Sequence, residues 1–231
     1  ILSGIGVLSL AALMGHKLRL YREEIRIVFI CALFNVTGWF YLSGLGLTML
    51  SSGRATILAY THPLFAFLIA YAMGRDQLTM RRFLALFCGM CAVAALSVRD
   101  FQAFGESPFG VLAILGGAVC FAIGATLQKR TWRTPSFVLA GWQMILGGIP
   151  LLILAPIFDR DPFAEFTLYG AGAVAYTVFV GNMIGFVLWI KTLELIPAPI
   201  ATISLLPVPM VGITSGVLIL GESVGWQEGV A

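Results

Sequence analysis

The sequence predicts an all-α polytopic membrane protein whose helices form an inverted repeat. Composition is the first observation: 59% of the residues are hydrophobic and 11% are charged, with a mean hydropathy of +0.97. A soluble domain carries about 25% charged residues. The second observation is a series of long apolar runs separated by short charged clusters, and the third is a segment that occurs twice.

The apolar runs define the predicted spans. A helix needs roughly 20 apolar residues to cross a bilayer, and most of the runs reach that length. Because the chain begins inside a run at Ile1 and ends just after Trp226 opens another, we expect a piece of a longer polytopic protein. The eight predicted spans are residues 1–15, 27–50, 53–74, 82–98, 108–128, 136–157, 167–190 and 198–220.

The basic residues orient these spans. If the loop His16–Arg26 is cytoplasmic and the spans alternate, 11 of the 14 Lys and Arg residues fall on the inner side. Only Arg54, Arg99 and Arg160 fall on the outer side, which is the positive-inside bias of membrane proteins. Loop topology therefore explains the net charge of +3, and we expect no nucleic-acid partner.

The repeated segment covers residues 55–85 and 201–231, with position n matched to position n + 146 without a gap. Pro63 matches Pro209, and acidic Asp76 matches acidic Glu222. Five predicted loops separate equivalent points, so the two copies cross the membrane in opposite directions. Secondary transporters use such inverted repeats to equalise the energies of inward-open and outward-open states. A duplication kept for folding alone is the alternative.

Two motifs carry a family resemblance. GRATILAYTHPLFAFLIAYAMGRDQLT and IPAPIATISLLPVPMVGITSGVLILGESVGW resemble the fourth-helix and ninth-helix signatures of EamA-type transporters in the drug/metabolite transporter superfamily. Asp76 stands where that family usually has Glu. The resemblance covers the whole chain and implies ten helices in two inverted five-helix halves, here residues 1–98 and 99–231. It implies a multi-pass protein of the plasma (bacterial inner) membrane, about eight of whose helices this chain supplies.

His62 is the one strongly polar titratable side chain deep in a predicted span. It shares a helix face with Ala66 and Ala70, and small residues at this spacing let helices approach closely. We therefore expect His62 to face protein rather than lipid. Intramembrane ionisable residues are usually functional, and histidine binds protons near neutral pH. A neutral histidine that is hydrogen-bonded to a neighbouring helix is the alternative.

Prolines, aromatic residues and amides supply the other candidates. Pro63, Pro207 and Pro209 remove backbone donors, so they are candidate hinges; simple packing kinks are the alternative. Aromatic and amide side chains can stack and hydrogen-bond a flat solute, although each could also be a packing or interface residue. The candidate lining residues of a substrate cavity are Asn35, Trp39, Tyr60, His62, Asn182 and Trp189.

Two further pairs have two interpretations each. Asp76 and Glu222 fall at predicted helix ends, as caps or as gate residues that pair with nearby arginines. The glycine pair Gly181 and Gly185 favours either a homodimer or packing within the bundle. Cys88 and Cys91 have metal-pair spacing without a second pair or a histidine nearby, so we expect no metal.

The sequence contains no phosphate-cradling glycine loop, metal-binding helix motif or nucleophile elbow. We therefore expect neither an enzyme nor a cofactor. The predicted function is secondary active export of a small metabolite or drug-like solute by alternating access, with proton coupling through His62 as one option. The predicted partners are the solute and the lipid bilayer. A non-transporting membrane receptor or scaffold on the same helix bundle is the alternative.

Overall fold

The computed structural model describes residues 1–50, 55, 58–74, 80, 84, 87–88, 91, 107–158, 167–205 and 207–208. Throughout these residues the regular structure is helical, without a strand. Four helical stretches among them are long and apolar enough to cross a membrane, and each coincides with a predicted span. The prediction of an all-helical, multi-pass membrane protein is confirmed. The four stretches are Arg22–Leu47, Pro108–Gln128, Ser136–Ala155 and Gly170–Leu195.

The helices have the following bounds. Helix α1 is Leu2–Leu13. Helix α2, Arg22–Ala32, continues through a first π-helical segment, Leu33–Gly38, into α3, Trp39–Leu47. Helix α4 is His62–Ala72, α5 is Pro108–Gln128 and α6 is Ser136–Phe158. Helix α7, Leu168–Tyr176, continues through a second π-helical segment, Thr177–Ile184, into α8, Gly185–Leu195, and α9 is Ala198–Ile203.

The predicted span 53–74 is interrupted rather than continuous. Leu58 and Ala59 are helical, Tyr60 and Thr61 form a turn, and α4 begins at His62. The physical reason is Pro63, which has no backbone N–H to donate to the carbonyl of Ala59 one turn earlier. Most of the predicted span 82–98 lies outside the described residues.

The chain divides into two compact units. The first unit comprises Ile1–Gly38 and Leu127–Ile196, and the second comprises Trp39–Thr126 and Pro197–Ala231. In the first unit, α6 packs against α1 and α2. Helices α1 and α6 meet at glycines: a Cβ added to Gly4 would lie 2.8 Å from the carbonyl oxygen of Gly141, so a side chain is excluded there. The core beside this contact contains Val7, Val28, Leu139, Ala140, Met144, Val187 and Ile190.

A buried carboxylate fixes the loop that precedes α6. Glu24, in the first turn of α2, accepts hydrogen bonds from the backbone N–H groups of Arg133 at 2.7 Å and Thr134 at 3.3 Å. The Thr134 hydroxyl donates a third bond at 2.6 Å. These three donors offset the cost of burying the carboxylate. The loop is thereby held against the start of α2.

In the second unit, α9 packs against α4. His62, Ala66 and Ala70 are 4%, 0% and 2% exposed, so the face that they share is buried against protein. The prediction that His62 faces protein is confirmed. A nearby apolar cluster of Leu50, Ala55, Leu58 and Ile114 supports the segment that leads to α4.

Candidate functional site

A cavity of about 370 Å³ lies in the second unit, beside the turn that precedes α4. Helix α3 contributes Trp39, Ser43 and Leu47, which follow one face of the helix at four-residue spacing. Helix α5 contributes Ile114 and Phe121. The remaining lining residues belong to the two copies of the repeat: Ala55, Ala59, Tyr60, His62, Leu205 and Val208.

Aromatic rings form one wall of this cavity. The ring centres of Trp39 and Phe121 are 5.1 Å apart, with an angle of 50° between the ring planes. His62 lies 5.1 Å from Phe121 at 85°, an edge-to-face contact, and 5.9 Å from Tyr60. These separations lie in the range that aromatic pairs prefer, so the rings hold one another in place. The wall is aromatic and preorganised.

The imidazole of His62 is held by one hydrogen bond. Its Nδ1 lies 2.8 Å from the carbonyl oxygen of Ala59. Because a carbonyl only accepts, Nδ1 carries the hydrogen, and in the neutral ring Nε2 then carries a lone pair. Nε2 is buried and has no hydrogen-bond partner among the described residues. One residue of the cavity lining therefore carries an acceptor that no described group uses.

Other polar groups in the lining are few. The Ser43 hydroxyl is buried without a partner in the described part of the chain, and Tyr60 contributes a phenol. Among the described lining residues there is no Asp, Glu, Lys or Arg. Such a lining suits a small solute with a flat apolar part and one or two hydrogen-bonding groups. The described part of the lining offers no cation to a multiply charged anion.

The structure brings together three of the six predicted lining residues, Trp39, Tyr60 and His62. The other three belong to the first unit. Asn35 is buried in the first π-helical segment, whereas Asn182 in the second segment and Trp189 in α8 are half-buried.

The predicted hinges and gates have different outcomes. Pro63 lies in the first turn of α4, and Pro207 lies in an exposed turn after α9. Pro209, Asp76 and Glu222 lie outside the described residues. Their assignments as hinge and gate residues stay predictions.

A chain of buried amides crosses the first unit. Asn35 Nδ2 donates to Gln143 Oε1 at 3.4 Å, and Gln143 Nε2 donates to Gln128 Oε1 at 2.7 Å. Sequence reasoning missed both glutamines, although an amide inside an apolar run is a visible signal. It also missed Phe121, because one phenylalanine among 17 in an apolar chain gives no signal of its own.

Comparison with known families identifies the chain. The EamA-like transporter family matches residues 1–98 and 108–231, which is nearly the whole chain. The chain belongs to this family. Membership and the apolar helices together make it a multi-pass membrane transporter of the EamA type.

Individual relatives agree with this membership. The uncharacterized transporter YoaV of Bacillus subtilis (strain 168) is 24% identical over 210 residues, covering 90% of this chain and 72% of YoaV. The uncharacterized inner membrane transporter YedA of Escherichia coli (strain K12) is 23% identical over 229 residues, covering 99% of this chain and 74% of YedA. One solved crystal structure, at 17% identity, superimposes with a TM-score of 0.82 over 99% of this chain and 79% of that chain. This last similarity shows a shared fold.

Proposed function

We propose that this EamA protein moves a small organic solute across the membrane by alternating access, with the aromatic cavity on the path of the solute. One observation carries the proposal: equivalent positions of the two repeat copies line the same cavity. Ala59 is matched to Leu205, and His62 is matched to Val208, by the n + 146 relationship. Substrate sites of inverted-repeat transporters lie at such junctions between repeats.

Helix irregularities at matched positions support the same proposal. When the offset of 146 is extended upstream of the repeated segment, the first π-helical segment, Leu33–Gly38, falls on positions 179–184, inside the second segment, Thr177–Ile184. The turn at Tyr60 and Thr61 corresponds to positions 206–207, and Pro207 also lies in a turn. Interrupted helices in corresponding positions are typical of transporter binding sites. We therefore retain the arrangement of two inverted five-helix halves, divided near residue 98, as part of the proposal.

The cavity lining supports a solute class. Aromatic faces and neutral hydrogen-bonding groups favour a metabolite or drug-like molecule with a flat apolar part. The Nε2 lone pair of His62 favours a hydrogen-bond donor on that molecule. The same lone pair could instead take up a proton, and export driven by the proton gradient across a bacterial inner membrane is the finer form of the proposal.

Flux measurements test the transport proposal. Liposomes that contain the full-length protein are loaded with a defined mixture of aromatic amines, amino acids, nucleosides and organic phosphates, and the solutes that leave are quantified by mass spectrometry. We expect selective loss of uncharged or cationic aromatic solutes and retention of the organic phosphates. Binding of a solute without any flux would contradict transport and favour the receptor or scaffold alternative.

A matched pair of phenylalanines tests the cavity. Phe121→Ala removes an aromatic wall and should slow flux of the transported solute by about tenfold. Phe109→Ala, on the same helix α5 but 60% exposed, should leave flux unchanged. Equal effects of the two variants would remove the cavity from the path.

A second measurement isolates proton coupling. Collapse of an imposed proton gradient by a protonophore should abolish concentrative export while leaving downhill exchange intact. Concentrative export that persists after the collapse would reject proton coupling and leave alternating access standing.

A further inference from the structure

A second cavity, of about 660 Å³, lies in the first unit where the loop between α5 and α6 meets the ends of α1 and α8. It is lined by residues 129–137 together with His16, Lys191 and Glu194, and is called the basic cleft below. The lining contains four cationic side chains and one carboxylate. The cations are Lys129, Arg130, Arg133 and Lys191.

Two of these cations are paired with carboxylates. Lys191 Nζ lies 3.1 Å from Glu194 Oε2, and an Arg133 guanidinium nitrogen lies 3.7 Å from Glu23 Oε2. The other oxygen of the Glu194 carboxylate accepts a hydrogen bond from the Ser136 hydroxyl at 2.6 Å. Both oxygens of Glu194 are therefore occupied.

The other two cations have no anionic partner among the residues that the structure describes. Lys129 Nζ donates to the backbone carbonyl oxygen of Glu194 at 2.9 Å, a bond to a neutral group. The Arg130 guanidinium lies over the Trp132 ring, 5.1 Å from its centre. Across the described ranges, no carboxylate lies within ion-pair distance of Lys129 or Arg130. Two positive charges held by neutral contacts in one cleft lining have the chemistry that an anion requires.

Apolar side chains beside the basic cleft indicate the source of that anion. Leu13, less than one turn before His16 at the end of α1, is 86% exposed, and Met14 is also exposed. Leu195, directly after Glu194, is 72% exposed. Exposed apolar side chains at the helix ends of a membrane protein are suited to contact with acyl chains. By the positive-inside bias the cleft lies at the cytoplasmic leaflet, where basic pockets between helices bind anionic headgroups.

We propose that the basic cleft binds a phosphate group supplied by the headgroup of an anionic phospholipid. Lys129 and Arg130 contact the phosphate, while the exposed leucines of α1 and α8 border the acyl chains. Since the cleft and the aromatic cavity belong to different units, this site is separate from the one proposed for the solute and does not depend on transport.

Lipid-dependent thermal stability of the full-length protein tests the site. The protein in uncharged detergent receives phosphatidylglycerol, phosphatidylcholine or inorganic phosphate at equal ionic strength, and retained lipid is counted by native mass spectrometry. We expect phosphatidylglycerol alone to raise the melting temperature and to be retained. Stabilisation by inorganic phosphate would assign the cleft to a soluble phosphate and overturn the lipid. Equal stabilisation by phosphatidylcholine would overturn the anion site.

Charge variants assign the effect to the basic cleft. Lys129→Gln with Arg130→Gln should weaken phosphatidylglycerol binding by about 30-fold, because each basic side chain contributes about fivefold near an anionic surface. Lys17→Gln with Arg19→Gln is the matched control, since both residues are exposed, lie on the same side and do not line the cleft. Lys129→Arg with Arg130→Lys keeps the charges and should retain binding. Equal loss in the cleft and control variants would overturn the proposal.

Discussion

His62 donates its Nδ1–H to the backbone carbonyl oxygen of Ala59, with 2.8 Å between the two atoms. In a regular helix this carbonyl would accept from residue 63, but Pro63 has no N–H. The imidazole therefore replaces the missing backbone donor at the point where the helix is interrupted. The same bond orients the ring and leaves Nε2 as its free acceptor within the described structure.

Two substitutions at His62 should separate the roles of its two nitrogens. Asparagine keeps an N–H group near the position of Nδ1, whereas glutamine places its polar group near that of Nε2. We expect His62→Asn to retain thermal stability and lose flux. His62→Gln should lose about 1 kcal/mol of stability and retain more of the flux. Thermal unfolding and liposome flux measure the two effects, and identical losses in both variants would refute the separation of roles.

Restoring a backbone donor should straighten the interruption. Pro63→Ala supplies an N–H that competes with His62 for the Ala59 carbonyl, so the helix should run through Tyr60 and Thr61. We expect slower amide exchange over residues 58–62, unchanged or higher thermal stability, and several-fold slower flux. Pro108→Ala is the control. Pro108 is the first residue of α5, where a backbone N–H has no acceptor within the helix, so restoring one should change nothing. Flux at the parental rate would show that transport does not need the interruption.

Much of the fold could be predicted because a bilayer constrains each apolar run separately. Arg22–Leu47 and Pro108–Gln128 are long enough to span, and their composition alone indicates it. The π-helical segments could not be predicted, since an extra residue within a helix depends on its packing against neighbours. In the sequence, the only sign of the interruption at Tyr60 is Pro63. A proline is equally compatible with a bend in a continuous helix.

The site was partly predictable for a related reason. Polar and aromatic residues such as Trp39, Tyr60 and His62 stand out against an apolar background, so they could be identified individually. Which of them share a cavity depends on tertiary contacts between helices. Asn35 is an example, because its amide is hydrogen-bonded to Gln143 in the first unit and does not line the aromatic cavity. Phe121 became visible only through its contacts with Trp39 and His62.

The amide chain of the first unit predicts a non-additive effect on stability. Gln143→Leu removes the 2.7 Å bond to Gln128 and leaves the Asn35 amide without its acceptor. We expect a loss of about 1–2 kcal/mol in the free energy of unfolding. Adding Gln128→Leu also removes the amide that Gln143→Leu leaves without its donor. The double variant should therefore lose less stability than the two single variants lose in sum. Additive losses in thermal unfolding would show that the two amides do not interact.

Gly117 packs closely against Ser43, one of the lining residues of the aromatic cavity. A Cβ added to Gly117 would lie 2.9 Å from the Ser43 hydroxyl oxygen, closer than real Cβ contacts allow, whereas the Ser43 backbone nitrogen is 3.5 Å away. Gly117→Ala should therefore displace the hydroxyl and cost about 1–3 kcal/mol of stability. At Gly44, on the same helix as Ser43, no described atom lies within 4 Å of an added Cβ, so Gly44→Ala should cost nothing.

The rescue variant decides whether this hydroxyl is the cause. Ser43→Ala removes the oxygen that the new methyl group would meet, and it also removes a buried hydroxyl that has no partner among the described residues. The double variant Ser43→Ala with Gly117→Ala should therefore regain most of the stability that Gly117→Ala loses. If thermal unfolding shows no recovery, the stability that Gly117→Ala loses is due to the close approach of the α3 and α5 backbones. The Ser43 hydroxyl is then not the group that excludes a side chain at position 117.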